Sequence, residues 1–222
     1  MLQSIKTTNG LNSHDQWIHA AAGCGADERA VRDATDDWLV VDYLMRNTDR
    51  HYNNFGLIRD IETLEVRPAP IYDTGASLWS GELDVDGRDW FAKPFYTATG
   101  KPSALRQLRL VEDWSRFDLD ALSDWPDEVA HELSRMRMFA PERLDAIRDQ
   151  LTKHIGTIRT IRESKAFARP VRSATGRICW TDSATRCGRI LPGKTGMSRV
   201  PGLITKVLGT IWVIRLRPWA TK

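Results

Sequence analysis

Cysteine is scarce in this sequence, with only Cys24, Cys179 and Cys187 among 222 residues. An odd number of cysteines without CxxC spacing argues against a disulfide framework and fits a reduced, cytoplasmic compartment. No second Cys/His pair accompanies Cys179 and Cys187, so a structural zinc site in that region is not expected.

Long apolar runs are also lacking. Residues 1–6 do not resemble a signal peptide, and the longest apolar stretch, 200–214, is interrupted by a proline, two glycines and a lysine. We therefore expect a cytoplasmic protein without a membrane-spanning helix or a membrane partner. The hydrophobic content of 41%, with nine tryptophans, is sufficient for a folded core.

Charge is unevenly distributed along the chain. From Arg159 onward there are 14 basic and two acidic residues, whereas residues 1–158 contain 18 basic and 27 acidic ones. We therefore divide the chain into a folded unit, 1–160, and a basic tail, 161–222, that is poorly ordered or of unrelated origin. Because a basic segment attracts polyanions, nucleic-acid binding through this tail is an alternative role for it.

The tail contains a literal match to the Walker A pattern G-x4-G-K-[ST] at residues 188–195. A phosphate-binding loop needs a buried strand before it and a helix after it. The preceding residues do not read as a buried strand, and Pro201 and Gly202 interrupt any following helix. We do not expect this match to bind nucleotide.

Hydrophobic periodicity predicts a mainly helical α+β fold. A short helix over 11–22 precedes a longer one that follows the N-cap Asp27 and ends at Arg46, where Asn47 stops it in a left-handed conformation. Strands over 55–58 and 64–72 form a hairpin, with Asp73 at the end of the second strand and Gly75 allowing a sharp turn. Three further helices are predicted over 103–112, over 126–138 and from Pro141 to about residue 158.

Two short motifs flank the predicted hairpin. The first, NTDRHYNNFG over residues 47–56, contains Asp49 and Asn54, and the second, IYDTG over 71–75, contains Asp73. Each of these residues taken singly is typical of a loop. Together they provide what phosphoryl transfer from a magnesium nucleotide requires, namely one carboxylate that acts as base and an amide and a second carboxylate that hold the metal.

Written as Asn-Thr-Asp-Arg-His-x-x-Asn, the first motif resembles that of the HipA-like protein serine/threonine kinases. The resemblance covers about residues 11–158 and includes the segments VDYL (41–44), APIYDTG (69–75), SLW (77–79), AKPF (92–95) and DLD (118–120). It implies that Asp49 is the catalytic base and that Asn54 and Asp73 bind Mg²⁺. It also implies ATP as phosphate donor and a protein hydroxyl as acceptor. Some members of the family are toxins paired with a DNA-binding antitoxin, so an antitoxin-like protein is an implied partner.

Three further residues of the first motif are candidates for a supporting role. Arg50 and His51 could contact phosphate or brace the loop, and bracing is the better interpretation for His51 because a lone loop histidine usually has a structural partner. Asn47 is also consistent with a helix cap alone.

The sequence departs from the kinase pattern upstream of the motif. A kinase clamps ATP with an N-terminal lobe that carries a glycine-rich loop and a strand lysine. Only 48 residues precede Asp49, and Lys6 is the only lysine among them. We therefore expect a catalytic C-terminal lobe without its N-terminal lobe, and negligible turnover by the chain alone. A non-catalytic binding module and a toxin–antitoxin-type regulator with a nucleic-acid-binding tail remain alternatives.

Overall fold

The computed structural model describes residues 12–95 and 102–167 of the chain. Its elements, in chain order, are α1 (Ser13–Gly23), α2 (Glu28–Met45), β1 (Leu57–Arg59), β2 (Val66–Pro68), α3 (Ala104–Leu108), α4 (Trp125–Arg135) and α5 (Pro141–Phe167). The prediction of a mainly helical α+β fold is confirmed. Most of the basic tail, including the Walker A match, lies outside the described residues.

Side-chain caps fix the starts of the first two helices. Asn12 caps α1 by accepting a hydrogen bond from the Asp15 backbone N–H (2.9 Å). The predicted N-cap Asp27 is confirmed, since its carboxylate accepts from the Ala30 N–H at the start of α2 (2.8 Å). Such caps satisfy backbone donors that have no partner within the helix.

The hairpin is shorter than predicted. Strands β1 and β2 pair antiparallel over three residues each, with Leu57 opposite Pro68 and Arg59 opposite Val66. Pro68 and Pro70 interrupt the second strand because proline has no N–H to donate to a neighbouring strand. Asp60 holds the turn between the strands, because its Oδ1 accepts hydrogen bonds from the backbone N–H groups of Glu62 and Thr63.

Helix α5 packs against α4 and α2, and its buried face forms much of the core. Ile147, Leu151 and Ile158 are fully buried along this face, as the periodicity predicts. The helix runs past residue 160 to Phe167. Near its end the Lys165 ammonium donates to the backbone carbonyls of Arg109 and Val111, both at 2.6 Å. The described fold therefore includes the first residues of the basic tail.

No helix within the described ranges is both long enough and apolar enough to cross a membrane. Helix α5 has the length, but charged residues recur along its whole exposed side.

A buried carboxylate anchors the turn after α3 to α2. Asp36, only 1% exposed, accepts hydrogen bonds from the backbone N–H groups of Glu112 (2.9 and 3.1 Å) and Asp113 (2.8 Å). Burial raises the pKa of Asp36 to about 6, although these N–H groups lower it. The nearby Glu112 raises this pKa further, and Arg116 opposes the rise.

We expect the free energy of unfolding of the wild-type chain, measured against that of the Asp36→Asn variant, to fall as the pH rises from about 4 to about 7. A pKa raised in the fold means that folding favours the protonated form. The stability that the Asp36 carboxyl group contributes is therefore fully present below its ordinary pKa of 3.8. It is lost as the pH rises through about 6. The total loss corresponds to about 3 kcal/mol. Urea unfolding at a series of pH values measures the difference, and a pH-independent difference would contradict it.

Candidate active site

The first motif begins at the C-terminus of α2, where the chain reverses. The left-handed residue is Arg46 (φ 54°, ψ 49°) and not Asn47, so that prediction is wrong by one position. Asn47 helps to close this turn through its backbone and holds the loop through its side chain. Its N–H donates to the Asp42 carbonyl, its Nδ2 donates to Asp42 Oδ1, and its Oδ1 accepts from the Asp49 N–H (2.8, 2.8 and 3.1 Å).

Arg50 is the centre of the loop. Its guanidinium, 2% exposed, forms a bidentate pair with Asp42, in which Nε and Nη2 each lie 2.8 Å from a carboxylate oxygen. Its Nη1 donates to two backbone carbonyls, those of Asn54 (2.5 Å) and Tyr72 (2.7 Å). One nitrogen atom thus joins the Asn54 segment to the residue that precedes Asp73. Arg50 braces the loop and is not available to contact phosphate.

The Asp42 carboxylate stabilises the positive charge of Arg50. Burial by itself lowers the pKa of this guanidinium, but the attraction of the Asp42 carboxylate and its hydrogen bonds more than offset burial and raise the pKa. Asp73 also contributes to this rise. The negative charge of Asp73 is therefore felt at the bracing cation, as expected if the two motifs meet in space.

The Asn54 side chain is buried and is fixed through its amide nitrogen. It is 4% exposed, and its Nδ2 donates to the Asp49 carbonyl (2.9 Å) while its backbone N–H donates to the His51 carbonyl (2.8 Å). This use of Nδ2 leaves the amide oxygen Oδ1 as the group that can bind a ligand. The Asp49 carboxylate, in contrast, is 53% exposed and open to a substrate.

His51 also braces the loop. Its Nδ1 accepts from the Asn53 backbone N–H (3.2 Å), and its Nε2 lies 3.8 Å from Asp49 Oδ2. The first contact supports the structural interpretation. The second is too long for a hydrogen bond, but it places a titratable ring beside the candidate base.

Asp73 does not end a strand, because β2 ends five residues earlier at Pro68. Asp73 itself has a positive φ of 51°, whereas Gly75 does not, so the left-handed turn falls at the aspartate. Aspartate tolerates this conformation better than most residues. Its side chain is exposed, and the segment that follows is tied to the first motif by the Thr48 N–H, which donates to the Ala76 carbonyl (3.0 Å).

A layer of aromatic rings supports the site from behind. The Arg46 guanidinium lies 5.0 Å from the Trp79 ring centroid and 5.3 Å from that of Trp90, and it pairs with Glu82. His154 of α5 stacks on Trp79 (5.7 Å) and its Nδ1 lies 3.1 Å from the Leu44 carbonyl. Burial lowers the pKa of His154, which favours a neutral ring that donates to this carbonyl. Such cation–π and stacking contacts hold the residues on either side of the loop.

The structure therefore joins Asn47, Asp49, Arg50, His51 and Asn54 in one hydrogen-bonded loop, and Arg50 links that loop to the residue before Asp73. The residue that sequence reasoning missed is Asp42, on which the brace depends. Its signal was an acid among apolar residues in the last turns of α2, eight residues before an arginine. Such a pair is expected when a charge must be buried.

The donor set fits magnesium in its chemistry. Asn54 Oδ1 and the Asp73 carboxylate are oxygen ligands, and Mg²⁺ prefers a few such ligands together with water and phosphate oxygens. The Asp49 side chain is exposed on the same loop, and a carboxylate has the chemistry of a general base.

Comparison with protein-family models finds no match, and neither the curated proteins nor the solved structures include a significant match to the chain. The resemblance to the HipA-like kinases therefore rests on the sequence motifs alone.

Proposed function

We propose that the chain provides the catalytic base and the magnesium ligands of a HipA-like protein serine/threonine kinase, which transfers the γ-phosphate of ATP to a protein hydroxyl. The observation that carries the proposal is the contact of Arg50 Nη1 with the carbonyls of both Asn54 and Tyr72. This contact holds the backbone at Asn54 close to the residue that precedes Asp73.

In the proposed reaction, Asp49 accepts the proton of the attacking serine or threonine hydroxyl. The hydroxyl oxygen then forms a bond to the γ-phosphorus, and the bond to the β–γ bridging oxygen breaks to release ADP. Asn54 and Asp73 would hold magnesium, which neutralises charge on the phosphate oxygens when it is bound. Arg50 keeps these two ligands in place, and His51 lies beside the base.

The described residues supply one side of a nucleotide site. Their only sheet is the β1–β2 hairpin, without a glycine-rich loop or strand lysine next to it. Since phosphoryl transfer depends on positioning and charge neutralisation, we expect slow turnover unless the remaining phosphate contacts are supplied from outside these residues.

We expect Asp73→Asn to lower magnesium-dependent ATP affinity at least about tenfold, because a neutral amide replaces an anionic metal ligand. The fold should be retained, since asparagine also tolerates a positive φ. Isothermal titration of the full chain with ATP, with and without Mg²⁺, measures the change. Asp84→Asn, at an exposed acid away from the motifs, is the matched control.

Three results distinguish the alternatives. ATP affinity that does not depend on magnesium, or that Asp73→Asn leaves unchanged, would exclude the proposed metal site. Magnesium-dependent ATP binding without phosphate transfer would favour the non-catalytic binding module. Salt-sensitive DNA binding that is lost on deletion of residues 165–222 would favour the nucleic-acid-associated regulator.

A further inference from the structure

Three side chains with metal-binding groups, outside the two sequence motifs, lie close together. His14 and Asp15 lie in the first turn of α1, and Glu112 lies in the turn after α3. One ligand atom from each of the three lies within 4.8 Å of the others. The fold, and not a local sequence motif, brings them together.

Two of the three residues are held in place by other contacts. The His14 ring is 3% exposed, packs edge-on against Phe95 with a centroid distance of 5.0 Å, and has its Nδ1 3.3 Å from Asp15 Oδ1. The backbone of Glu112 is fixed by the buried Asp36 carboxylate.

The local charge is negative. Arg32 is the cation in contact with Glu112, with Nη1 2.6 Å from Oε1, but the same guanidinium also binds Glu28 through Nη2 (2.7 Å). Asp15 accepts from the amide of Asn12 at its Oδ2 (2.9 Å), and its Oδ1 lies 3.3 Å from His14 Nδ1. Arg32 is therefore shared between two carboxylates, and the nearby Lys165 ammonium, held on the Val111 carbonyl, also interacts with the charge of Glu112.

We propose that His14, Asp15 and Glu112 form a binding site for a divalent transition-metal cation of the Zn²⁺ type. One imidazole nitrogen and two carboxylate oxygens are a ligand set that Zn²⁺ accepts, and a water completes four-coordination. Mg²⁺ is disfavoured because it prefers oxygen ligands. This site is independent of the proposed kinase function.

The expected consequence is a clamp between α1 and the turn after α3. Zinc–ligand distances of about 2.0–2.2 Å require the three ligand atoms to move closer than they lie now. The exposed Glu112 and half-exposed Asp15 side chains can rotate to do so, while the buried imidazole stays in place. Because the ion binds the folded chain, it should raise the unfolding temperature in proportion to its occupancy.

The test is isothermal titration of the full chain with ZnCl₂, together with its thermal unfolding. We expect one zinc site whose affinity falls at least about tenfold in His14→Asn and in Glu112→Gln. Arg32→Gln should bind zinc more tightly than the wild type, since it removes the cation that competes for Glu112. His131→Asn, at an exposed histidine of α4, should not change the affinity.

Cobalt(II) in place of zinc identifies the ligand type, because cobalt–thiolate bonds absorb strongly in the near ultraviolet and a His/carboxylate site does not. The proposal is overturned by zinc binding that survives both His14→Asn and Glu112→Gln, by a thiolate spectrum, or by no zinc binding up to millimolar concentration. If His14→Asn fails to fold, Asp15→Asn at the more exposed ligand provides the same comparison.

Discussion

Replacing Asp42 with alanine is expected to lower the free energy of unfolding by about 3–5 kcal/mol, because the change leaves a buried cation without its partner. Asp42 makes a bidentate pair with Arg50, which is 2% exposed and cannot move its charge to water without opening the loop. The same change removes the acceptor of the Asn47 amide. Equilibrium urea unfolding, followed by tryptophan fluorescence, measures the effect.

A surface pair provides the control for this prediction. Arg88 also donates to a carboxylate through two nitrogens: its Nε and Nη2 lie 2.9 and 2.6 Å from Asp86 Oδ2. The Arg88 side chain, however, is 88% exposed. We expect Arg88→Ala to cost less than about 1 kcal/mol. If Asp42→Ala were equally mild, the pair could not be the brace of the loop, and the link between the two motifs would need another explanation.

The helices could be predicted because their signals are local. An apolar residue every third or fourth position marked α2 and α5, and the Asp27 cap and Pro141 marked where they begin. The hairpin was also predicted, but not its length, since pairing depends on partners that a single strand does not specify. Two prolines shortened it to three residues per strand.

The detailed geometry of the site depended on contacts between distant residues. Asn47 was the expected left-handed residue on intrinsic preference, yet Arg46 takes that conformation. The tertiary contacts of Arg46 with Trp79 and Trp90 outweigh a backbone cost of about 1 kcal/mol. Likewise, nothing near Asp73 in sequence indicates that Arg50 contacts the residue before it.

The candidate residues themselves were identifiable because chemistry limits their type and order. A base, an amide and a second carboxylate are needed whatever the surrounding packing, so they appear as residue identities at fixed spacing. The residues that hold them in place are Asp42 and the aromatic layer. Other residue types could provide the same support, so these positions form a weaker pattern in the sequence. Motifs therefore point to a site more readily than to its support.

Once the remaining phosphate contacts are supplied from outside the described residues, Asp49→Asn is expected to slow phosphate transfer by about 10²–10⁴-fold, the usual contribution of a general base. Magnesium-dependent ATP affinity and stability should be almost unchanged. The Asp49 side chain is 53% exposed and lies 3.8 Å from His51 Nε2, too far for a hydrogen bond, whereas the loop is held by the Asp49 backbone. Transfer of radiolabelled phosphate to the chain itself or to an added protein substrate measures the rate.

Separate measurements of the transfer rate and of ATP affinity distinguish a catalytic base from a residue that braces the loop. A bracing residue would lower stability and ATP affinity together with the rate, as we expect for Asp42→Ala, because it acts by holding Asn54 and Asp73 in position. A base affects only the step in which the hydroxyl loses its proton. Asp84→Asn should alter none of these quantities. If Asp49→Asn transferred phosphate as fast as the wild type, the carboxylate at this position would not be the base, however well its loop is built.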